Sequence, residues 1–402
     1  MQQGAHALRD LGLPNRGVFS VAHHSFLADG TLLGSYGRAV HETTRDSLGN
    51  GKGDAQRRNA HIPRQQLRQS LLDALPSEAV VWGKRLKSLD EHPSGVTLCF
   101  TDGSETHADV VIGADGIWST VRRQLVPAAA DLPLRYLGVV VILGRAPCDH
   151  ALVREQVFQT VDGDGTRIYT MPFTQPTAQC SSGHGEPTAA EDAAATATGA
   201  PRERAVTMWQ LSFLATEAEA NSLPRSGPEL LQLAAERVSG WHAPIEQLIR
   251  DTAPSDVTGY PAFDRATPAA FRASSDGASH ATSTASSEPP PSAPDVPLLS
   301  LESRCTLIGD AAHPMSPFKG QGANQALLDA VDVARALRRS ALCGGEQTIA
   351  HALGEFERRM LGRAAPKVAA SRAAATSLHD VSATVRSNST RAAAARTAQT
   401  SA

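Results

Sequence analysis

The sequence lacks the features that mark secreted, membrane-spanning or nucleic-acid-binding proteins. No apolar run approaches the roughly 18 residues of a membrane-spanning helix, and the N-terminal residues lack the basic-then-apolar pattern of a signal peptide. The five cysteines are scattered and never form a C-x-x-C pair, which favours a reduced intracellular setting and no zinc site. The net charge of −3 offers no attraction to nucleic acid or an anionic membrane. We therefore predict a cytoplasmic protein without bound metal, nucleic acid or membrane.

The 402 residues, 41% of them apolar, are enough for two domains or one large α/β unit. Two segments, 174–204 and 266–297, consist mainly of Ala, Ser, Thr, Pro and Gly. They cannot bury enough apolar surface to offset the entropy of ordering, so we predict disordered insertions there. Apolar patterns elsewhere predict strands at 79–82, 135–145, 156–161, 166–173 and 206–214, and separate helices at 349–360 and 364–379.

The most informative stretch runs from Arg304 to Arg339. A short apolar strand ends at Gly309-Asp310, and a loop with two prolines leads through Gly320-Gln321-Gly322 into a long helix. Bare backbone N–H groups and a helix N-terminus would meet there, which predicts a site for a planar group that carries or acquires negative charge. The alternative is a tight turn in which the glycines serve steric needs alone. Helical spacing predicts one buried stripe on this helix, formed by Ala323, Leu327, Ala330, Val331, Ala334 and Leu337.

A second motif follows another apolar strand, at residues 108–122. The chain turns at Asp115-Gly116 and enters a helix for which Ser119 is the expected cap. Taken alone, this pattern also fits an ordinary strand–helix turn. A third candidate is Arg64, at the start of a helix entered through Pro63, where the alternative is a solvated arginine.

The two motifs closely resemble fingerprints of the FAD-dependent aromatic-ring hydroxylases, the family of p-hydroxybenzoate hydroxylase, and the spacing is nearest to the tetracycline-inactivating monooxygenases. The resemblance implies that Asp310 holds a ribityl hydroxyl of FAD and that the loop from Pro317 to Gly322 lies against the isoalloxazine ring. The cofactor-binding residues that it implies are Arg64, Asp115, Gly116, Asp310, Pro317, Gly320, Gln321 and Gly322.

The chemistry implied by the resemblance is oxygen transfer to a small aromatic or polyketide-like substrate. NADH or NADPH would reduce FAD, and dioxygen would form a flavin C4a-hydroperoxide. Because the cofactor carries this chemistry, we assign no catalytic side chain and interpret His313 as structural. Arg167, Met171 and Trp209 could face a substrate cavity, although an ordinary strand role is the favoured interpretation for each. A flavin reductase, halogenase or epoxidase on the same scaffold is an alternative.

One expected element is not found: the strand–GxGxxG–helix unit that begins a Rossmann half. The family places roughly 60–70 residues with that unit before the first helix, so we expect the parallel strands to expose hydrophobic edges. The predicted fold is α/β, a truncated Rossmann-like FAD-binding domain with an inserted α+β substrate domain. Two interpretations stay open, a truncated monooxygenase and a non-catalytic remnant with weak or no FAD binding. The predicted divisions are 1–128 and 298–380 for FAD, 129–265 for substrate, and a flexible tail at 381–402.

Overall fold

The computed structural model describes residues 2–14, 17–20, 22–37, 59–126, 132–147, 150–154, 156–176, 203–267, 303–343 and 346–386. The chain divides into two compact units. The first comprises 1–14, 75–137 and 262–375, and the second comprises 15–74, 138–261 and 376–402. Residues 15–74 thus fall in the second unit, whereas the predicted FAD domain included them. The predicted domain limits stay predictions.

Strands and helices follow one another in runs along the chain. The helices are α1 (Gln2–Asp10), α2 (Arg64–Asp73), α3 (Thr120–Leu125), α4 (Glu217–Asn221), α5 (Gly227–Arg237), α6 (Ile245–Arg250), α7 (Gly322–Cys343) and α8 (Glu346–Ser377). The strands are β1 (Val18–Ser20), β2 (Ala22–Leu27), β3 (Leu32–Gly37), β4 (Asn59–His61), β5 (Leu86–His92), β6 (Gly95–Phe100), β7 (Glu105–Ala108), β8 (Val111–Gly113), β9 (Leu134–Ala146), β10 (Gln156–Val161), β11 (Arg167–Pro176), β12 (Glu203–Leu214), β13 (Val257–Arg265) and β14 (Cys305–Leu307).

The first unit contains an antiparallel sheet, β5-β6-β7, and a parallel pair, β8 with β14. One hydrophobic cluster joins the parallel pair to β6 through Val96, Val111 and Cys305. A larger cluster joins Leu307 to residues of α3, α7 and α8, including Phe356. Helices and the neighbouring sheet thus cover these side chains, whereas β8 and β14 pair only with each other among the described residues, in line with the expected loss of neighbouring strands. Cys305, Thr306 and Leu307 are all fully buried.

The second unit is built on a seven-stranded sheet with the order β13-β9-β12-β11-β10-β2-β3. Strands β2 and β10 pair in parallel, whereas β10 with β11 and β11 with β12 are antiparallel. Trp209 lies opposite Thr170, so it points to the other face of the sheet from Arg167 and Met171. Its indole Nε1 donates to Thr252 Oγ1 of the segment after α6, at 2.8 Å. Trp209 is thus a core residue, as the ordinary strand interpretation held.

Two secondary-structure predictions are wrong in detail. The strand predicted at 79–82 is a 3-10 turn at Ser77–Ala79 that follows Pro76 and leads to Gly83, whose φ of 77° is left-handed. The two C-terminal helices form the single helix α8, with Pro366 inside it. Proline removes one backbone donor, but apolar residues on both sides of it, including Met360 and Val368, are buried and hold α8 in place.

The buried face of α7 also differs from the predicted stripe. Ala323 and Ala334 are exposed. The buried residues of α7 are Gln325, Asp329, Val331, Val333, Ala336 and Ser340, of which Val331 belongs to the predicted stripe. The apolar pattern mispredicted part of this face because three of the buried positions, Gln325, Asp329 and Ser340, carry polar side chains.

The predicted insertions fall mainly outside the described residues, which omit 177–202 and 268–302. At the edges of the first insertion, residues 174–176 belong to β11 and residues 203–204 belong to β12. Those positions are strand, because the two strands extend their antiparallel pairing as far as Pro176 and Glu203. Of the predicted flexible tail, Val381–Thr384 forms a 3-10 turn, and residues 387–402 lie outside the described part.

Candidate functional site

Two aspartates follow the carboxyl ends of adjacent parallel strands. Gly113 of β8 lies opposite Leu307 of β14, and the Ile308 N–H donates to the Gly113 carbonyl at 3.0 Å. The strands therefore end level with each other, and Asp115 and Asp310 come just after those ends. In open α/β sheets, ligands bind at this carboxyl edge. The structure thus brings both predicted motifs to the same edge.

Asp310 lies beside the start of α7. It occupies the middle of a 3-10 turn, Gly309–Ala311, and it is exposed. A Cβ placed on Gly322, the first residue of α7, would lie 3.8 Å from Asp310 Oδ1. The segment between β14 and α7 contains two glycines with a left-handed backbone, Gly309 (φ 57°) and Gly320 (φ 58°). An exposed carboxylate therefore lies beside the N-terminus of α7.

Asp115 caps helix α3. Its Oδ2 accepts from the N–H groups of Thr120, at 2.6 Å, and Val121, at 3.1 Å. Ser119 Oγ accepts from the Arg122 N–H at 2.8 Å, which confirms the predicted serine cap. This capping role of Asp115 was not predicted from the sequence. Its predicted contact with the cofactor, and that of the left-handed Gly116, stay predictions.

Arg122 joins the two motifs. Its side chain is buried, and its Nη1 lies 3.3 Å from the carbonyl oxygens of both Ala311 and Ala312. The guanidinium thereby holds α3 against the turn that carries Asp310. Sequence reasoning missed this role, because an arginine on a short helix normally indicates a solvated face.

The remainder of the loop is held by contacts from three directions. Ser316 and Ser371 of α8 exchange hydrogen bonds, with each hydroxyl donating to the other residue's carbonyl at 2.8 and 2.7 Å. The Arg265 N–H donates to the Pro314 carbonyl at 3.3 Å. Asn324 Nδ2 donates to the Gly320 carbonyl at 2.8 Å.

The second half of the loop contains another short turn. Pro317 begins this 3-10 turn, Pro317–Lys319, and Gln321 then leads into α7. The loop is an ordered part of the first unit.

Arg64 lies in the second unit, as the first residue of α2 after Pro63. Its side chain is exposed. This position matches the predicted helix start, and the predicted contact with flavin stays a prediction.

Other kinds of site receive no support from the residues that the structure describes. Within those ranges, no three His, Cys, Asp or Glu side chains come together as metal ligands. The same ranges contain no helix with the length and apolar character to cross a membrane.

Comparison with known proteins supports a flavin-related interpretation of this edge. Residues 301–350 match a family model described as an FAD binding domain. The chain is 28% identical over 277 residues to an aurachin C monooxygenase/isomerase of Stigmatella aurantiaca, covering 69% of this chain and 55% of that protein. It is 30% identical over 268 residues to a 3-amino-4-hydroxybenzoate 2-monooxygenase of Streptomyces cremeus, covering 67% and 51%. The chain thus spans about half the length of these relatives.

Solved structures show the same fold. Klebsiella pneumoniae HpxO, complexed with FAD and uric acid, aligns with a TM-score of 0.67 at 21% identity, covering 94% of this chain and 78% of that chain. The tetracycline destructase Tet(51) aligns with a TM-score of 0.56 at 17% identity, covering 98% and 82%.

These comparisons confirm the predicted resemblance to the FAD-dependent aromatic monooxygenases and the predicted α/β fold. The matched segment, 301–350, contains the whole loop from Gly309 to Gly322. The stretch identified from the sequence is therefore the stretch that the family model recognises.

Proposed function

We propose that this chain binds the isoalloxazine and ribityl part of FAD at the carboxyl edge of β8 and β14, and that it acts in a monooxygenase for small aromatic substrates. The observation that carries the proposal is the exposed Asp310, placed at the end of β14 and beside Gly322 at the start of α7. The match of residues 301–350 to an FAD-binding model supports the choice of ligand.

The residues at this edge fit a flavin in shape and charge. Nothing described lies within 4 Å of the Cβ position of Gly116 or Gly320, so the backbone there leaves room for a planar group. The N-terminus of the 22-residue helix α7 carries partial positive charge and unsatisfied N–H donors. Asp310 would accept from a ribityl hydroxyl, and the N–H groups would face the edge of the ring that gains negative charge on reduction.

FAD supplies the redox and oxygen-transfer chemistry when it is bound. The side chains of this chain would bind and orient it. Asp310 would fix the ribityl chain, while Arg122 and Ser316 keep the loop in the conformation that presents Asp310. We propose NADH or NADPH as the reductant and dioxygen as the co-substrate, in line with the predicted family chemistry.

A hydroxylated aromatic or heteroaromatic anion is the substrate class that we propose. The relatives include enzymes named for 3-amino-4-hydroxybenzoate and 6-hydroxynicotinate, both carboxylates. In the second unit, the buried Arg167 receives support from Gln159, whose Oε1 accepts from Nε at 3.0 Å, and lies 5.1 Å from the Tyr169 ring centre. A buried guanidinium beside an aromatic ring suits an aromatic anion.

The test is a titration of the full chain with FAD, in which quenching of the flavin fluorescence reports binding. Asp310→Ala should weaken binding about ten- to one-hundred-fold, because it removes a hydrogen bond to a charged acceptor. Asp109→Ala is the matched control, since Asp109 is an exposed carboxylate at the opposite end of β8. Equal affinity in both variants would remove Asp310 from the site. Substrate-stimulated oxidation of NADH or NADPH with oxygen uptake tests the activity, and its absence despite flavin binding would favour a binding remnant.

A further inference from the structure

The loop between β14 and α7 has little regular structure of its own. Residues 309–321 form only two 3-10 turns, and two of the glycines are left-handed. A binding loop of this kind needs contacts from the surrounding helices to hold a single conformation. Asp329 of α7 provides such contacts at the turn that contains Asp310.

Asp329 is fully buried, about two turns into α7. Its Oδ2 accepts from the Gly309 N–H at 3.0 Å and lies 2.7 Å from His313 Nε2, which donates to it. One carboxylate oxygen therefore holds both ends of a five-residue segment. Asp310 lies inside that segment.

The other carboxylate oxygen connects the loop to α8. Oδ1 of Asp329 accepts from Arg363 Nη2 at 2.6 Å. Arg363 also donates to Asp332 Oδ2 at 2.5 Å and to Gln325 Oε1 at 3.2 Å. The loop, α7 and α8 are thus joined through a single buried carboxylate.

A buried ionic group of this kind is a poor means of gaining stability. Desolvating a carboxylate is costly, and apolar residues of similar volume often stabilise a protein at least as well. What the carboxylate adds is directional: Asp329 accepts from donors of the loop and of α8 at once, which ties the position of the loop to that of α8. The neighbouring Ser316 contact with α8 involves neutral groups alone.

We propose that Asp329 is a positioning residue, with His313 as its partner in the loop, and that it fixes the Gly309–Ala311 turn so that Asp310 faces the start of α7. As far as it concerns flavin, this inference rests on the proposed function. The placement of the turn itself does not depend on any ligand.

The experiment compares Asp329→Asn with Asp332→Asn in the full chain. Both changes remove one negative charge that pairs with Arg363, but of the two residues Asp329 is the one shown to hydrogen-bond to the loop. Hydrogen–deuterium exchange without flavin reports on the amides of residues 309–322. We expect exchange in Asp329→Asn to be about tenfold faster or more, and FAD affinity to fall about ten- to one-hundred-fold. Asp332→Asn should match the wild type in both measurements.

A second pair of variants covers the case in which Asp329→Asn fails to fold. His313→Leu removes the donor to Asp329, whereas His313→Gln keeps an amide N–H that can replace it. Fast exchange in His313→Leu, with most protection retained in His313→Gln, supports the positioning role. Equal loop exchange in Asp329→Asn and Asp332→Asn, or in the two His313 variants, overturns it. If the wild-type chain binds no FAD, the proposed function fails, and the exchange measurements still decide the role of Asp329.

Discussion

Replacing Gly322 with alanine would separate a glycine kept for a ligand from one kept for the fold. The added methyl group would point towards Asp310, with Asp310 Oδ1 and Met315 Cγ each 3.8 Å away. Those are ordinary van der Waals separations, and Gly322 has no left-handed φ. The protein itself therefore accommodates the change. The methyl group would instead occupy space where we place the flavin.

Gly322→Ala is expected to change stability and FAD affinity in opposite directions. Alanine is a better helix former than glycine by up to about 1 kcal/mol, so Gly322→Ala should leave the free energy of unfolding unchanged or raise it slightly. An extra methyl group in a filled site typically costs about 1–3 kcal/mol, which is an affinity loss of about five- to 150-fold for FAD. Gly322→Ala should thus keep or gain stability while it loses affinity for FAD.

Gly113→Ala is the contrasting control within the same edge. A Cβ at Gly113 would lie 2.7 Å from Leu307 Cδ2 and 2.8 Å from Val121 Cβ, inside the contact distance of real side chains. This variant should lose about 1–3 kcal/mol of stability through overpacking. Urea unfolding and flavin titration of both variants provide the comparison. If Gly322→Ala binds FAD like the wild type, the glycine serves the turn alone and the placement of the flavin is wrong.

Two further predictions concern stability. Asp115→Ala should lower the free energy of unfolding by about 1 kcal/mol, because two N–H groups at the start of α3 lose their acceptor; an unchanged urea midpoint would contradict the capping role. Burial lowers the pKa of His61 from 6.5 to about 4. Between these two pH values the unfolded chain binds more protons than the folded chain. The contribution of His61 to the free energy of unfolding should therefore be fully present above about pH 6.5 and decrease by up to about 1.4 kcal/mol per pH unit towards pH 4. His61→Gln should flatten that slope in urea unfolding measured across the interval, and an equal slope in both proteins would refute the assignment.

The two motifs could be predicted from sequence because their signals are local. A short apolar strand, a Gly-Asp break and a helix start are all encoded within residues 304–339, and the structure has β14, the 3-10 turn and α7 in that order. The same holds for β8, Asp115 and α3. Side-chain alternation and turn residues are properties of neighbouring positions, so no distant contact is needed to recognise them.

The residues that fix the loop could not be predicted in this way. Asp329 and Gln325 lie on the inward face of α7, where an apolar pattern expects Leu or Ala, and Arg122 is buried on α3. Polar side chains can occupy such positions only if partners arrive from elsewhere in the chain. Those partners are Gly309 and His313 for Asp329, and the carbonyls of residues 311 and 312 for Arg122. A single sequence carries no record of these long-range pairings.

The polar residues that the predicted apolar stripe of α7 did not include therefore show how the carboxyl edge of β8 and β14 is organised. Two charged side chains, Arg122 from α3 and Asp329 from α7, are buried on either side of the turn that holds Asp310, and they bind its carbonyl and N–H groups respectively. An apolar side chain at either position would leave these backbone groups without their partners, at a cost of about 1–3 kcal/mol each. Arg122 and Asp329 thus fix both the carbonyl and the N–H groups of the turn, although charged side chains add little hydrophobic stabilisation. Such an arrangement is expected where one exposed carboxylate must keep a fixed position against a helix N-terminus.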